Sequence, residues 1–84
     1  MKLKNAKISS CVIIEDVNYP YENITNRLID LGIKKGQKIN VLRTLKNGAC
    51  MIILVGGRLV ALSSEIASSI TCSYINSKGG LQNE

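Results

Sequence analysis

The chain has 84 residues, 45% of them hydrophobic, and 11 lysines and arginines against 6 acidic residues give it a formal charge of +5. A chain this short has little core to spare, so most of its large aliphatic side chains are committed to folding. With no Trp and no Phe, that core must be built from Ile, Leu and Val, a composition that suits a compact β-barrel or sandwich more than a disordered chain.

Lys2, Lys4 and Lys7 open the chain without the apolar segment that would follow them in a signal peptide, and the expected location is the cytoplasm. Ser9 to Asp16 reads as the first strand, with Cys11 and Ile13 on one face and Val12 and Ile14 on the other. Val17 to Tyr21 is a turn punctuated by Asn18 and Pro20. Asn23 is expected to cap a helix whose apolar stripe, Ile24, Leu28 and Leu31, follows the i, i+4, i+7 spacing. Arg27 and Asp30 are left to solvent. Gly32 supplies the left-handed residue that ends the helix, and Lys34 and Lys35 stand where the helix dipole favours positive charge. Gly36 permits the tight turn into a second strand, Gln37 to Leu45, and Asn47-Gly48 signals a hairpin.

Ala49 to Val55 is the third strand, apolar on both faces and therefore central; its seven residues fall far short of the roughly 20 of a membrane helix. Gly56-Gly57 makes a second tight hairpin into Arg58 to Leu62, the fourth strand. Ser63 caps a single helical turn holding Glu65, Ile66 and Ala67, and Ile70 to Ile75 closes the sheet. Asn76 to Glu84 is glycine-rich and polar, so the chain divides into a domain of residues 1–75 and a flexible tail of residues 76–84. Five short strands with a short α-helix inserted after the first predict a small, mainly β, partly open barrel of the SH3-like type. An OB-fold usually places its helix later, between the third and fourth strands.

Enzyme chemistry finds little to hold. There is no histidine, the commonest general base and metal ligand. No pair among Cys11, Cys50 and Cys72 has the C-x-x-C spacing of a zinc ribbon or redox site. That leaves only a pairing of Cys11 and Cys72, on first and last strands that often neighbour each other in small closed barrels. The serines at 63, 64, 68 and 69 have no base to activate them, and Gly56-Gly57 lacks the rest of a phosphate-binding loop. The expectation is a non-enzymatic protein with no cofactor and no metal of its own. Recognition is more plausible. Tyr19-Pro20-Tyr21 places two tyrosines around a proline just before the helix, and Arg27, Asp30, Arg43 and Arg58 complete a candidate partner-binding set. The lysines are scattered and the only aromatics are three tyrosines, which weighs against nucleic acid.

The segment Arg27-Leu28-Ile29-Asp30-Leu31-Gly32-Ile33-Lys34-Lys35-Gly36 resembles the RLxxLGhxxG signature (h, hydrophobic) of the FeoA family, small cytoplasmic proteins of bacterial ferrous iron transport. The likeness continues through Lys38 to Val41, Asn47-Gly48, Met51 to Val55, Gly57 to Leu62 and Glu65 to Ile70, and with the first strand it spans roughly residues 8 to 75. Leu28, Leu31, Gly32, Gly36 and Gly57 carry its structural motif. The chain departs from the family at Ser63, where a basic residue is common, and at Asn47-Gly48, where a proline is common. The resemblance implies an SH3-like accessory protein that docks on the cytosolic part of FeoB, a membrane Fe(II) transporter with a GTP-binding domain. Two other readings stand beside it: a generic SH3-like peptide-binding module, which needs an exposed aromatic groove, and a weak nucleic-acid binder, which needs a contiguous basic face.

Overall fold

Apolar residues recurring with a period of two build the sheet, because successive side chains on a strand point to opposite faces. In the computed structural model, which describes residues 1–75, five strands form one antiparallel sheet: β1 (Cys11–Val17), β2 (Lys38–Leu45), β3 (Cys50–Val55), β4 (Arg58–Ser63) and β5 (Ile70–Tyr74). Their order is β4-β3-β2-β1-β5, so β4 and β5 are the two margins and the barrel is not closed by hydrogen bonds. Helix α1 (Glu22–Asp30) joins β1 to β2, as the placement of the sequence pattern predicted, and α2 (Ser64–Ser68) carries the chain from β4 to β5. The tail of residues 76–84 lies outside the described residues.

One face of the sheet is the core. Val12 and Ile14, Ile39 and Val41, Met51, Ile53 and Val55, Val60 and Leu62, and Ile70 and Cys72 are buried there, closed over by Leu28, Ile33 and Ala67. Fully burying an aliphatic side chain of this size stabilises by about 1.5–3 kcal/mol before entropy is counted. In β3 the burial alternates, with Met51, Ile53 and Val55 inside and Cys50, Ile52 and Leu54 half-buried on the other face. The strand is interior to the sheet, yet only one of its faces is core. Its unbroken apolar sequence had suggested two.

Two bulges keep charge out of that core. Strict alternation from Ile39 and Val41 would aim Arg43 inward, and alternation from Val12 and Ile14 would do the same to Asp16. A register shift between Val41 and Arg43 places Arg43 opposite Ile52 on the outer face, and another between Ile14 and Asp16 places Asp16 opposite Thr71. Each shift inserts one residue, Leu42 or Glu15, and so changes the face on which the charge emerges.

The ends of α1 differ from expectation at one end only. Tyr21, not Asn23, is the N-cap residue, and it makes no side-chain cap bond; the helix begins two residues earlier than an Asn23 cap would place it. At the other end Gly32 is left-handed (φ 94°), its N–H donates to the Ile29 carbonyl, and the Ile33 N–H donates to the Leu28 carbonyl at 2.8 Å. This is a Schellman closure, and Leu28 and Ile33 are both buried behind it. Ser63 caps α2 as expected, accepting from the Ile66 N–H at 3.2 Å.

The turns hold two further corrections. Gly56 and Gly57, both at positive φ, form the two-residue hairpin between Val55 and Arg58. The Asn47-Gly48 connection is longer, because the pairing of Leu45 with Cys50 leaves four residues outside the ladder. Lys46, Asn47 and Gly48 all have positive φ, so the chain there takes a left-handed turn instead of the tight Asn-Gly hairpin. The N-terminal segment also carries structure that its lysines concealed. Leu3–Asn5 is a 3₁₀ turn whose Leu3 is fully buried, and it packs on α2.

Gly32→Ala should destabilise more than Gly36→Ala. Both positions have positive φ, but a Cβ at Gly32 would stand 3.0 Å from Val55 Cγ1, whereas the space at Gly36 is open. Urea unfolding should therefore report a loss of about 1–2 kcal/mol for Gly36→Ala, the left-handed conformational cost alone, and a larger loss for Gly32→Ala.

Candidate functional site

The candidate residues fall into three places defined by α1 and the sheet. Tyr19 and Tyr21 stand at the start of α1, with ring centroids 5.6 Å apart and planes at 67°, an edge-to-face pair. The backbone beneath them is fixed from both sides: the Asn18 N–H donates to the Ser69 carbonyl at 2.9 Å, and the Thr25 hydroxyl donates to the Tyr19 carbonyl at 3.2 Å. Tyr19 is half-buried and Tyr21 is 60% exposed, so the inner ring supports the outer one. Loss of solvent around Tyr19 pushes its phenol above the usual tyrosine value; the negative charge of Glu65 on α2 and the neighbouring Tyr21 phenol add to the shift.

The second place is the far end of α1, about 13 Å along the helix axis from the first. Arg27 and Asp30, three residues apart, are exposed on the helix surface. Asp30 and Arg58 then line one shallow cleft of about 200 Å³ with Gly32, Gln37 and Gly56. Sequence order gives no hint of this meeting, because Asp30 and Arg58 are brought together by the Schellman turn on one side and the Gly56-Gly57 hairpin on the other. Gly57 lines the adjoining groove with Lys38 and Asn40. Arg43 is the third place: it lies on the outer face of β2 opposite Ile52, apart from the tyrosines and from the cleft. Among the motif residues, Leu28 is buried and Leu31 packs against the core, Gly32 closes the helix, and Gly36 donates its N–H to the Ile14 carbonyl at 2.8 Å.

Residues outside the candidate set also matter here. Glu65 acts on Tyr19 from across the fold, a pairing only tertiary structure creates. A wider hollow of about 400 Å³, lined by Lys4, Thr44, Asn47 and Ser64, lies beside the left-handed turn. The three thiols do not converge. Cys11 is exposed, Cys50 is half-buried and Cys72 is buried. Although β1 and β5 are neighbours, Cys72 faces the core opposite Ile14 while Cys11 points the other way. The chain has no histidine, and among the described residues no three Cys, Asp or Glu side chains come together as a cluster that could hold a metal ion.

The chain matches the FeoA domain over residues 1–74. It belongs to the FeoA family. The FeoA protein of Chlorobium tepidum shares the fold with a TM-score of 0.85 and 26% identity, over 100% of this chain and 79% of that one. The FeoA-like protein of Clostridium acetobutylicum gives a TM-score of 0.78 at 19% identity, over 93% and 90% of the two chains. A manganese-dependent transcriptional repressor contains the same fold, with a TM-score of 0.80 at 14% identity; the match covers 89% of this chain but 36% of that protein. Comparison with curated proteins gives no match. Among the described residues no helix is long and apolar enough to cross a membrane.

Two measurements test this geometry. Glu65→Gln removes a negative charge that disfavours the Tyr19 phenolate, so the Tyr19 pKa, followed by the ring carbon shift in NMR, should fall toward the ordinary value near 10. Burial likewise pushes the Cys72 thiol up, partly offset by the N-terminal ammonium and reinforced by Glu15. The folded state then keeps a proton on Cys72 that the unfolded chain gives up, so this group's contribution lowers stability as pH rises above about 8.5. Alkylation of the native protein at pH 8 should modify Cys11 first and reach Cys72 only through unfolding, as read by mass spectrometry.

Proposed function

We propose that this FeoA-family protein is a non-enzymatic accessory of ferrous iron uptake that docks on the cytosolic part of a FeoB-type Fe(II) transporter. Family membership over residues 1–74 carries this reading. The surface around α1 supports it in detail. An exposed tyrosine set edge-to-face against a held one offers an aromatic anchor with little side-chain freedom left to lose, a feature common at the centres of protein interfaces. Arg27, Asp30 and Arg58 add charge of both signs at the other end of the same helix, suited to fixing orientation. Iron in this reading is cargo of the transporter.

The mechanism follows from binding alone. An accessory domain alters a mobile partner only to the extent that it binds two of the partner's states unequally. A factor of ten between the affinities for two nucleotide states shifts their balance by about 1.4 kcal/mol. Leu28 is the one buried residue of α1, and the rest of that helix faces outward or lies half-buried.

Titration of isotope-labelled protein with the soluble GTP-binding domain of the cognate transporter, with GDP and with a GTP analogue, tests this reading. Amide shifts should cluster between Tyr19 and Gly32 and around Arg58, and Tyr21→Ala should weaken binding at least tenfold without unfolding the protein, because the ring is largely exposed. If the full-length transporter in membranes also leaves the spectrum unchanged, the proposal fails.

A further inference from the structure

The two margins of the sheet are not alike. A marginal strand presents a row of unpaired N–H and C=O groups that will accept another strand. On the β5 side the chain covers its own margin: Lys2 forms a bridge with Thr71, the Cys72 N–H donates to the Met1 carbonyl at 2.8 Å, and the Met1 amino group donates to the Cys72 carbonyl at 2.9 Å. On the β4 side no strand among the described residues lies beyond Arg58–Ser63. Nor does β4 carry the usual protections. It has no lysine and no proline, its ladder with β3 runs without a bulge, and its one charge is Arg58 at the first position.

The outer face of that margin is apolar. Leu59 is 65% exposed and lies opposite Leu54, and Ala61 lies opposite Ile52, so an aliphatic stripe runs from β3 out to the open edge. We propose that β4 pairs antiparallel with β4 of a second copy of this chain, joining two five-stranded sheets into one. The strand is self-complementary for such pairing. A two-fold axis through Val60 sets Leu59 against Ala61 of the copy on the outer face and Val60 against itself on the inner, and it keeps the two Arg58 side chains from facing each other.

The other margin being covered, each copy offers, among the described residues, one open edge, and assembly closes at two. A six-residue edge buries well under the roughly 1,200 Å² of a stable interface, so the dimer is weak and depends on concentration. Each copy carries +5, so added salt strengthens the pair by screening their repulsion. That sign is opposite to the one nucleic acid or an acidic partner would give. The inference stands apart from the docking proposal, which uses α1 and its ends.

Sedimentation equilibrium of the full chain from micromolar to millimolar concentration, at low and moderate salt, tests it together with hydrogen exchange of the β4 amides. The expected result is a monomer–dimer equilibrium that salt favours, with exchange of the β4 amides slowing as concentration rises. Leu59→Lys, at a mainly exposed position and therefore neutral for folding, should abolish the dimer across the same range. A monomer throughout, a dimer that survives Leu59→Lys, or β4 amides equally protected at every concentration would each overturn the proposal.

Discussion

Ile14 is the junction on which the fold depends. Its carbonyl accepts from Gly36 at 2.8 Å, its N–H donates to Gln37 at 2.9 Å, and on its other side it is in register with Cys72. Its side chain is buried in the core. Among the described residues β1 is the only strand linking β5 to the β2-β3-β4 meander. The contact between Ile14 and residues 36–37 closes the excursion that contains Tyr19, Tyr21 and all of α1, so the proposed docking surface is a loop drawn shut at its base. Placement of the aromatic pair at one end of that loop, and of Asp30 at the other, follows from where the base is tied.

Most of the architecture was legible in the sequence because the strands are short apolar runs separated by turns that carry glycine. The helix stop at Gly32 and the Gly56-Gly57 hairpin have one economical conformation each, and both adopt it. Where reading by pattern went astray, a local signal was outweighed by something distant. Asn23 is a good cap by composition, yet the Ile24 and Thr25 N–H groups both donate to the Tyr21 carbonyl, so the first turn is already closed before Asn23 could cap it. Asn47-Gly48 favours a two-residue hairpin, but the pairing of Leu45 with Cys50 forces a longer turn. Leu3, isolated among lysines, offers no periodicity at all, and the packing of its turn against α2 and β5 makes it core.

The bulges at Glu15 and Leu42 were visible in principle. A charged residue in phase with a buried face, such as Asp16 or Arg43, conflicts with the burial of its neighbours, and inserting one residue relieves the conflict. The candidate site was legible in its parts but not in its grouping. Exposure of Arg27 and Asp30 follows from helix periodicity. The meeting of Asp30 with Arg58, the influence of Glu65 on Tyr19 and the separation of Arg43 from all of them are products of tertiary structure that no spacing encodes.

The tyrosines have a consequence for how this protein can be observed. The chain lacks Trp and Phe, and its three tyrosines all sit outside the buried core. Tyr74, whose hydroxyl accepts from the Lys7 N–H, lies at the opposite end of β1 from the edge-to-face pair. Ultraviolet absorption and intrinsic emission therefore report on two surface patches and are nearly silent about the aliphatic interior. An optical signal from Tyr19 and Tyr21 is a built-in label for one end of α1, while loosening of the core would pass unseen unless it reached those rings.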